Sequence, residues 1–179
     1  MPGRAPGYAL DLADTVARAA ERLRGASDAE ASRRPSPGKW SAKEIIGHLI
    51  DSASNNHQRF VRAQFQDDLI FPGYRQDEWV ASQQYQTAPW GDLLDLWVSF
   101  NRHIARVMGV VPELDRMKEH RRHNLDQLAW VPVPADAPAT LDYFMRDYVG
   151  HLHHHLKQIE GLHLHGAGRA SGGFPSVSS

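Results

Sequence analysis

Histidine is the residue type with the clearest capacity for chemistry in this chain. Eleven histidines occur among 179 residues, and four of them fall within the five positions from His151 to His155. On a helix, His151 and His155 share a face with their Cβ atoms ~5–6 Å apart. Two imidazoles at this spacing can hold one metal ion. Leu152 interrupts the cluster and apolar residues follow it at helical spacing, which distinguishes it from the terminal run of an expression tag.

The residues around this pair predict that both rings point into the protein. Phe144, Tyr148 and Ile159 lie on the same stripe of the predicted helix as His151 and His155. Buried polar groups need partners. The pair is therefore expected either to form hydrogen bonds in the core or to bind a metal ion.

His48 is the natural third ligand. It shares the inward face of an earlier predicted helix with Ile45, Ser52 and Asn56. Helices packed ~8–10 Å apart bring side chains of this length into contact, so three imidazoles from two facing helices would converge on one ion. Three protein ligands leave an open coordination position, which is typical of a catalytic metal. The expected ion is Zn²⁺ or Ni²⁺, with Fe²⁺, Co²⁺ or Mn²⁺ as alternatives, because imidazole is a ligand for many divalent metals.

Three further residues are candidates for a general base: Asp51, His123 and His154. Asp51 follows His48 by one helical turn, and it either accepts the second N–H of that ring or faces solvent. His123 belongs to a long predicted loop, where it either overhangs the site or is exposed. His154 lies at the edge of the inward face of the last helix, where it either points toward the site or is exposed to solvent.

Four long amphipathic segments must position these side chains. Apolar residues recur at three- and four-residue steps over residues 8–24, 42–65, 90–108 and 141–162. No convincing two-residue alternation is present, so the chain is predicted to be an all-α four-helix bundle. The domain is expected to span residues 8–165, and a flexible tail rich in Gly and Ser is expected over residues 166–179.

The ends of the segments carry start and stop signals. Ser41 and Glu44 form a predicted capping box, and Thr140 can cap the last helix. The stretch 113–139 contains three prolines and cannot form one continuous helix, so a long irregular connection is expected there, with a turn of helix or a short hairpin as further options. The five tryptophans are expected to pack in the core and at helix junctions.

Composition excludes several classes of function. Lys and Arg number 20 against 21 Asp and Glu, so the chain lacks the basic excess that binds nucleic acid. No segment reaches the ~20 apolar residues of a membrane span, and no signal peptide is recognised. The chain contains no cysteine, which excludes disulfides and thiolate ligands. The expected compartment is the cytoplasm, without a nucleic-acid or membrane partner.

Three motifs in the chain resemble one known family. The motifs PGKWSAKEIIGHLIDS (37–52), FPGYRQDEW (71–79) and YVGHLHHHLKQI (148–159) are similar to those of the DinB/YfiT-like superfamily, and within it to metal-dependent hydrolases of the YfiT type. The resemblance covers residues 10–165. It implies a four-helix bundle, often dimeric, with a divalent metal on three histidines that match His48, His151 and His155. A histidine in the loop before the last helix of the family is best matched by His123.

The resemblance also implies a range of activities. Relatives include thiol S-transferases that use bacillithiol, mycothiol or glutathione, and a mycothiol-dependent maleylpyruvate isomerase. The hypothesis is therefore a metal-dependent hydrolase or thiol S-transferase with a small-molecule substrate, in the second case with a low-molecular-weight thiol as partner. The alternative is a non-enzymatic metal-binding or stress-response protein with a structural or vestigial metal. A homodimer is expected from the same resemblance.

Overall fold

The computed structural model describes residues 5–162 and 164. Its elements in chain order are α1 (Gly7–Leu23), α2 (Asp28–Ala31), α3 (Ala42–Arg62), α4 (Gln76–Ser82), a 3-10 turn (Tyr85–Thr87), α5 (Trp90–Val110), α6 (Glu113–Met117), β1 (Glu119–His120), α7 (Leu125–Leu128), β2 (Ala139–Thr140) and α8 (Leu141–Glu160). The four predicted long segments are α1, α3, α5 and α8. The predicted tail over residues 166–179 lies outside the described residues.

The four long helices form a bundle with an indirect chain path. Helices α1 and α3 each pack mainly against α5 and α8. Consecutive long helices α1 and α3 therefore occupy opposite corners, and α8 lies beside α3. This arrangement confirms the predicted all-α four-helix bundle and places the histidine-bearing faces of α3 and α8 next to each other.

The predicted caps are present at the starts of α3 and α8. The backbone N–H of Glu44 donates to the Ser41 hydroxyl, and the Glu44 carboxylate accepts from the backbone N–H of Ser41. The Thr140 hydroxyl accepts from the backbone N–H of Tyr143 over 3.1 Å. Because each cap satisfies orphan backbone donors, it defines where the helix begins and so the direction in which each later side chain points.

The stretch between α5 and α8 is the irregular connection that the sequence predicts. It contains α6, α7 and a two-stranded antiparallel pair in which Glu119 faces Thr140. Asp142 at the start of α8 forms an ion pair with Arg116 of α6, which ties the connection to the bundle. A second ion pair joins Asp142 to Arg146 within α8. Leu128 and Trp130 of the connection lie beside residues of α3 and α8.

The tryptophan prediction is confirmed in part. Trp90 and Trp97 are in the core, whereas Trp79 and Trp130 are 38% and 46% exposed. No helix within the described ranges is both long enough and apolar enough to cross a bilayer.

Candidate metal centre

Three histidine side chains from α3 and α8 meet between the two helices. The Nε2 atom of His151 lies 3.3 Å from Nε2 of His48 and 3.0 Å from Nε2 of His155. One ring nitrogen of each residue lies within 4.8 Å of the other two. His48 is fully buried, and the other two rings are partly exposed. The structure thus brings together the three residues that the sequence singles out as metal ligands.

Burial keeps the three rings neutral. It lowers the pKa of His48 to about 3 and the pKa of His151 to about 3, and neighbouring imidazoles act in the same direction. Burial also lowers the pKa of His155. Each ring therefore has a nitrogen lone pair available at pH 7, which is the form that binds a metal.

A hydrogen bond from the next turn of α8 sets the tautomer of His155. The Nδ1–H of His155 donates to Oε1 of Gln158 over 2.8 Å, so the lone pair of this ring is on Nε2, toward the other two histidines. The Gln158 amide donates in turn to Nε2 of His154 over 3.0 Å. Partners of this kind orient the rings of metal-ligating histidines.

The distances between the ring nitrogens suit a divalent metal ion. Tetrahedral bonds of about 2.0–2.1 Å place two ligand nitrogens about 3.4 Å apart. Two of the three separations in the cluster, the Nε2 distances of 3.3 Å and 3.0 Å, are close to this value, and the third pair of ring nitrogens lies within 4.8 Å. The neutral three-imidazole donor set therefore fits a first-row divalent ion, and it fits several such ions equally well.

Two of the three histidines directly follow a glycine that an aromatic ring covers. A Cβ atom on Gly47 would lie 2.1 Å from Cδ2 of Tyr85, and one on Gly150 would lie 3.1 Å from Cζ3 of Trp130. The missing side chain at position 47 lets the Tyr85 ring pack directly on α3 beside His48. These close contacts restrict the helix backbone where the cluster forms.

Asp51 is in neither of the two environments expected from the sequence. It is 2% exposed, and its Oδ1 accepts hydrogen bonds of 2.7 Å from both the Tyr85 hydroxyl and the Gln83 amide. No hydrogen bond joins it to His48. Within the described residues, Oδ2 of Asp51 and Nδ1 of His48 are both buried without a hydrogen-bond partner. Burial raises the pKa of Asp51, and its local role is to hold Tyr85 and Gln83 against α3.

The other two general-base candidates differ in location. His154 is exposed at the wall of a cavity, where its ring lies 5.5 Å from the Trp130 ring between centroids. His123 is buried in the connection instead of exposed. Its Nε2 donates to the carbonyl of Ala137 over 2.7 Å, and its Nδ1 accepts from the backbone N–H of Leu125 over 3.2 Å. Both its nitrogens stabilise the connection, and the structure does not bring it to the cavity.

A polar cavity borders the cluster. Its volume is about 400 Å³, and His151 and His155 form part of its wall. The wall also includes Arg59 and Tyr74, together with Asp147 on the turn of α8 before His151. A small molecule in this cavity would have polar groups around it and two of the three imidazoles within its reach.

A second cavity also borders His155. Its volume is about 630 Å³, and its wall includes Trp40, Ile45 and Gln158. The Trp40 ring lies 5.1 Å from the His48 ring between centroids and covers one side of the cluster. His155 is therefore accessible from two cavities with different linings.

Several residues of the site are not identified by sequence reasoning. Arg59 is eleven positions after His48 and so shares its helix face, a signal that was available from periodicity alone. Trp130, Trp40 and Tyr74 come from loops, and their place beside the cluster depends on how the loops fold back. No spacing rule predicts that.

The sequence also did not predict a second histidine pair in the structure. The Nε2 atoms of His57 on α3 and His103 on α5 lie 3.2 Å apart near the protein surface. The two residues are 46 positions apart, so only the packing of α3 on α5 makes them neighbours.

Comparisons with known proteins bear on the fold and the family of this chain. None of the curated proteins compared with the chain matches it. A solved structure of YfiT from Bacillus subtilis, described as a probable metal-dependent hydrolase with an unusual four-helix bundle topology, is similar in fold. The TM-score is 0.71 at 18% sequence identity, over 87% of this chain and 83% of YfiT. The family model of the DinB superfamily matches residues 11–159. The chain belongs to the DinB superfamily.

Proposed function

We propose that this protein is a metal-dependent enzyme whose divalent ion is held by His48, His151 and His155. The observation that carries the proposal is the convergence of three neutral imidazoles at the wall of a cavity. Three ligands from the protein leave a coordination position for a water or a substrate group. The substrate is then a small molecule that enters the cavity of about 400 Å³ beside His151 and His155.

The chemistry of the site divides between the ion and the chain. When bound, a divalent ion supplies Lewis acidity that lowers the pKa of a coordinated water or thiol toward neutrality. Gln158 holds His155 in the tautomer that presents Nε2 to the cluster. His154 is the general-base candidate that lines the cavity, because Asp51 is engaged by Tyr85 and His123 by the connection.

Hydrolysis is the first candidate reaction. The YfiT structure, similar in fold, is described as a probable metal-dependent hydrolase, which favours water as the nucleophile. In this reaction the open position would hold water, and the cavity would hold an ester or amide close to it.

Transfer of a low-molecular-weight thiol is the second candidate, and one observation favours it. His155 borders two cavities, of about 400 and 630 Å³, which would admit a thiol and an electrophile separately. A hydrolase needs only one organic substrate, so the second cavity is better explained by a reaction between two.

Activity assays test the proposal directly. Protein loaded with Zn²⁺ or Ni²⁺ and protein treated with a chelator are compared on esters, amides, and thiols combined with electrophiles. We expect turnover only with metal, and loss of turnover in a His151→Ala variant. A His103→Ala variant serves as control because it removes a histidine that is not part of the cluster. Inactivity on every panel, with a metal whose coordination is complete without substrate, would favour the non-enzymatic alternative.

A further inference from the structure

Arg59 lies in the cavity wall on the same face of α3 as His48. Arg59 comes eleven positions after His48, which places their Cα atoms about 16 Å apart along the helix axis. Helical side chains lean toward the N-terminus, so the Arg59 side chain leans toward the histidines. The cavity of about 400 Å³ includes both Arg59 and the exposed edges of His151 and His155 in its wall.

Arg59 is the one mostly buried cation without a carboxylate partner in the part of the chain that the structure describes. It is 6% exposed. Lys43, which is 2% exposed, pairs with Asp28 at 2.8 Å, and the Arg116 guanidinium pairs with Asp142. No Asp or Glu lies within 4.0 Å of the Arg59 guanidinium among residues 5–162. An unpaired buried charge is costly, so its retention here points to a partner that is not part of the fold.

The Arg59 guanidinium has N–H donors without a described acceptor, and its neighbours hold it in place. Of its five N–H groups, described acceptors account for two: the carbonyl of Pro72 at 2.9 Å and Oδ1 of Asn56 at 3.4 Å. The Phe144 ring lies 5.9 Å from its Cζ and supports the plane from one side. A planar fork with free donors matches the two oxygens of a carboxylate.

The other polar groups of the wall are compatible with an anion. Burial raises the pKa of Tyr74 to about 12, so this phenol is a neutral donor at pH 7. Asp147, the acidic residue in the cavity wall, has both carboxylate oxygens occupied by the backbone N–H groups of Trp130 and Val131, each at 2.8 Å. Asp147 therefore stabilises the connection between α5 and α8 and does not pair with Arg59.

We infer that Arg59 binds a carboxylate of the substrate, and that the cavity selects small molecules with a carboxylate at the end opposite their reacting group. This inference rests on the proposed function, since it names the class of substrate that the three-histidine site acts on. The distance along α3 means that the substrate is elongated, with the carboxylate at Arg59 and the reacting group at the histidines.

Binding to chelator-treated protein tests the inference without a metal that could itself bind the carboxylate. The probes are 4-phenylbutyrate and its neutral amide. Their affinities for the full chain are measured by titration calorimetry and by NMR. Wild-type protein is expected to bind the acid at least roughly tenfold more tightly than the amide. Arg59→Met is expected to lose this preference, and Arg59→Lys to keep part of it. Arg62→Met, which changes an exposed arginine one turn further along α3, is expected to behave as wild type.

Two results would overturn the inference: equal affinity of the wild type for acid and amide, or an unchanged preference in Arg59→Met. If Arg59→Met does not fold, the wild-type comparison and Arg59→Lys still decide it. The proposed function fails separately. If metal-free protein prefers the carboxylate but metal-loaded protein shows no turnover, Arg59 is an anion-binding residue and the proposed enzymatic activity is contradicted.

Discussion

Two groups of histidines in this protein have similar nitrogen-to-nitrogen distances but different surroundings. His57 and His103 approach to 3.2 Å between α3 and α5, with His103 exposed. His48, His151 and His155 approach to 3.0 and 3.3 Å between α3 and α8, with His48 fully buried. A distance near 3 Å therefore does not by itself distinguish a metal site from a hydrogen-bonded pair.

The two groups differ in the number of ring nitrogens that converge, which is two in the pair and three in the buried group. One N–H···N bond satisfies the two nitrogens that face each other in the His57–His103 pair. In the group of three, burial keeps the rings neutral, and the hydrogen bond to Gln158 leaves Nε2 of His155 without a proton. Three converging nitrogens with few protons between them favour a shared cation. The comparison thus predicts that metal binds at the buried group and not at the pair.

The largest expected effect is the loss of metal from a His151→Ala variant. Nε2 of His151 is close to the Nε2 atoms of both His48 and His155, so its removal leaves only two protein ligands for the ion. We expect the stoichiometric metal to be lost, with a fall in affinity beyond the 10–100-fold that an outer partner contributes. Elemental analysis after loading with Zn²⁺ or Ni²⁺ measures this. The matched control, His103→Ala, should keep the wild-type metal content, and an equal loss in both variants would contradict the comparison.

A second expected effect is a loss of stability at acid pH in metal-free protein. The rings of His48 and His151 have a pKa of about 3 when folded, against about 6.5 when unfolded. Between these values the unfolded state binds more protons, so stability falls as the pH falls. From pH 7 to pH 5 the free energy of unfolding should decrease by roughly 2 kcal/mol or more.

Urea unfolding in the presence of a chelator at both pH values measures this decrease. A His151→Gln variant should show a smaller decrease than the wild type, whereas His103→Gln, from the exposed pair, should show the wild-type decrease. Equal stability of the wild type at pH 7 and pH 5 would show that the buried rings are not kept neutral by the fold.

A smaller effect is expected from the glycine that precedes His48. In a Gly47→Ala variant the new methyl group would overlap the Tyr85 ring, which must move together with its hydrogen bond to Asp51. We expect a loss of about 1–3 kcal/mol in stability, with weaker metal binding because His48 is adjacent. Chemical denaturation compares it with Gly91→Ala on α5, where nothing lies within 4 Å and the substitution should be neutral or slightly stabilising. Similar behaviour of the two variants would contradict the packing argument.

The smallest effect is expected at Gln158. Its replacement by alanine removes the acceptor for Nδ1–H of His155 but little buried surface. We expect metal affinity to fall roughly tenfold, while stability stays within about 0.5 kcal/mol of wild type. Competition with a chromogenic chelator measures the affinity. Lys157→Ala, at an exposed neighbour, is the control, and Gln158→Glu should restore binding because it keeps an acceptor oxygen.

The part of the site that lies on single helices was predictable. Helical periodicity places His151 and His155 on one face, and Ser41 and Thr140 set where α3 and α8 begin. The choice of His48 as third ligand also follows from its inward position, once α3 and α8 are assumed to face each other. The identity of the metal, the thiol and the homodimer stay predictions.

The surroundings of two general-base candidates, His123 and Asp51, were not predictable in the same way. His123 has the residue type of a ligand, but hydrogen bonds to Ala137 and Leu125 hold it in the connection. Asp51 has the spacing of an outer partner of His48, but the Tyr85 hydroxyl and the Gln83 amide occupy its Oδ1. In both cases at least one competing partner comes from a distant part of the chain, and no local pattern specifies that contact.

The sequence by itself determined the four long helices, their caps and the residues on each inward face, because these depend on interactions within a few positions of the chain. Only the tertiary structure decided that α3 lies between α5 and α8, that two histidine groups form on its two sides, and that Arg59 faces a cavity without a carboxylate partner among the described residues. Which helices become neighbours depends on how all the apolar faces are buried together, and no local pattern contains that information.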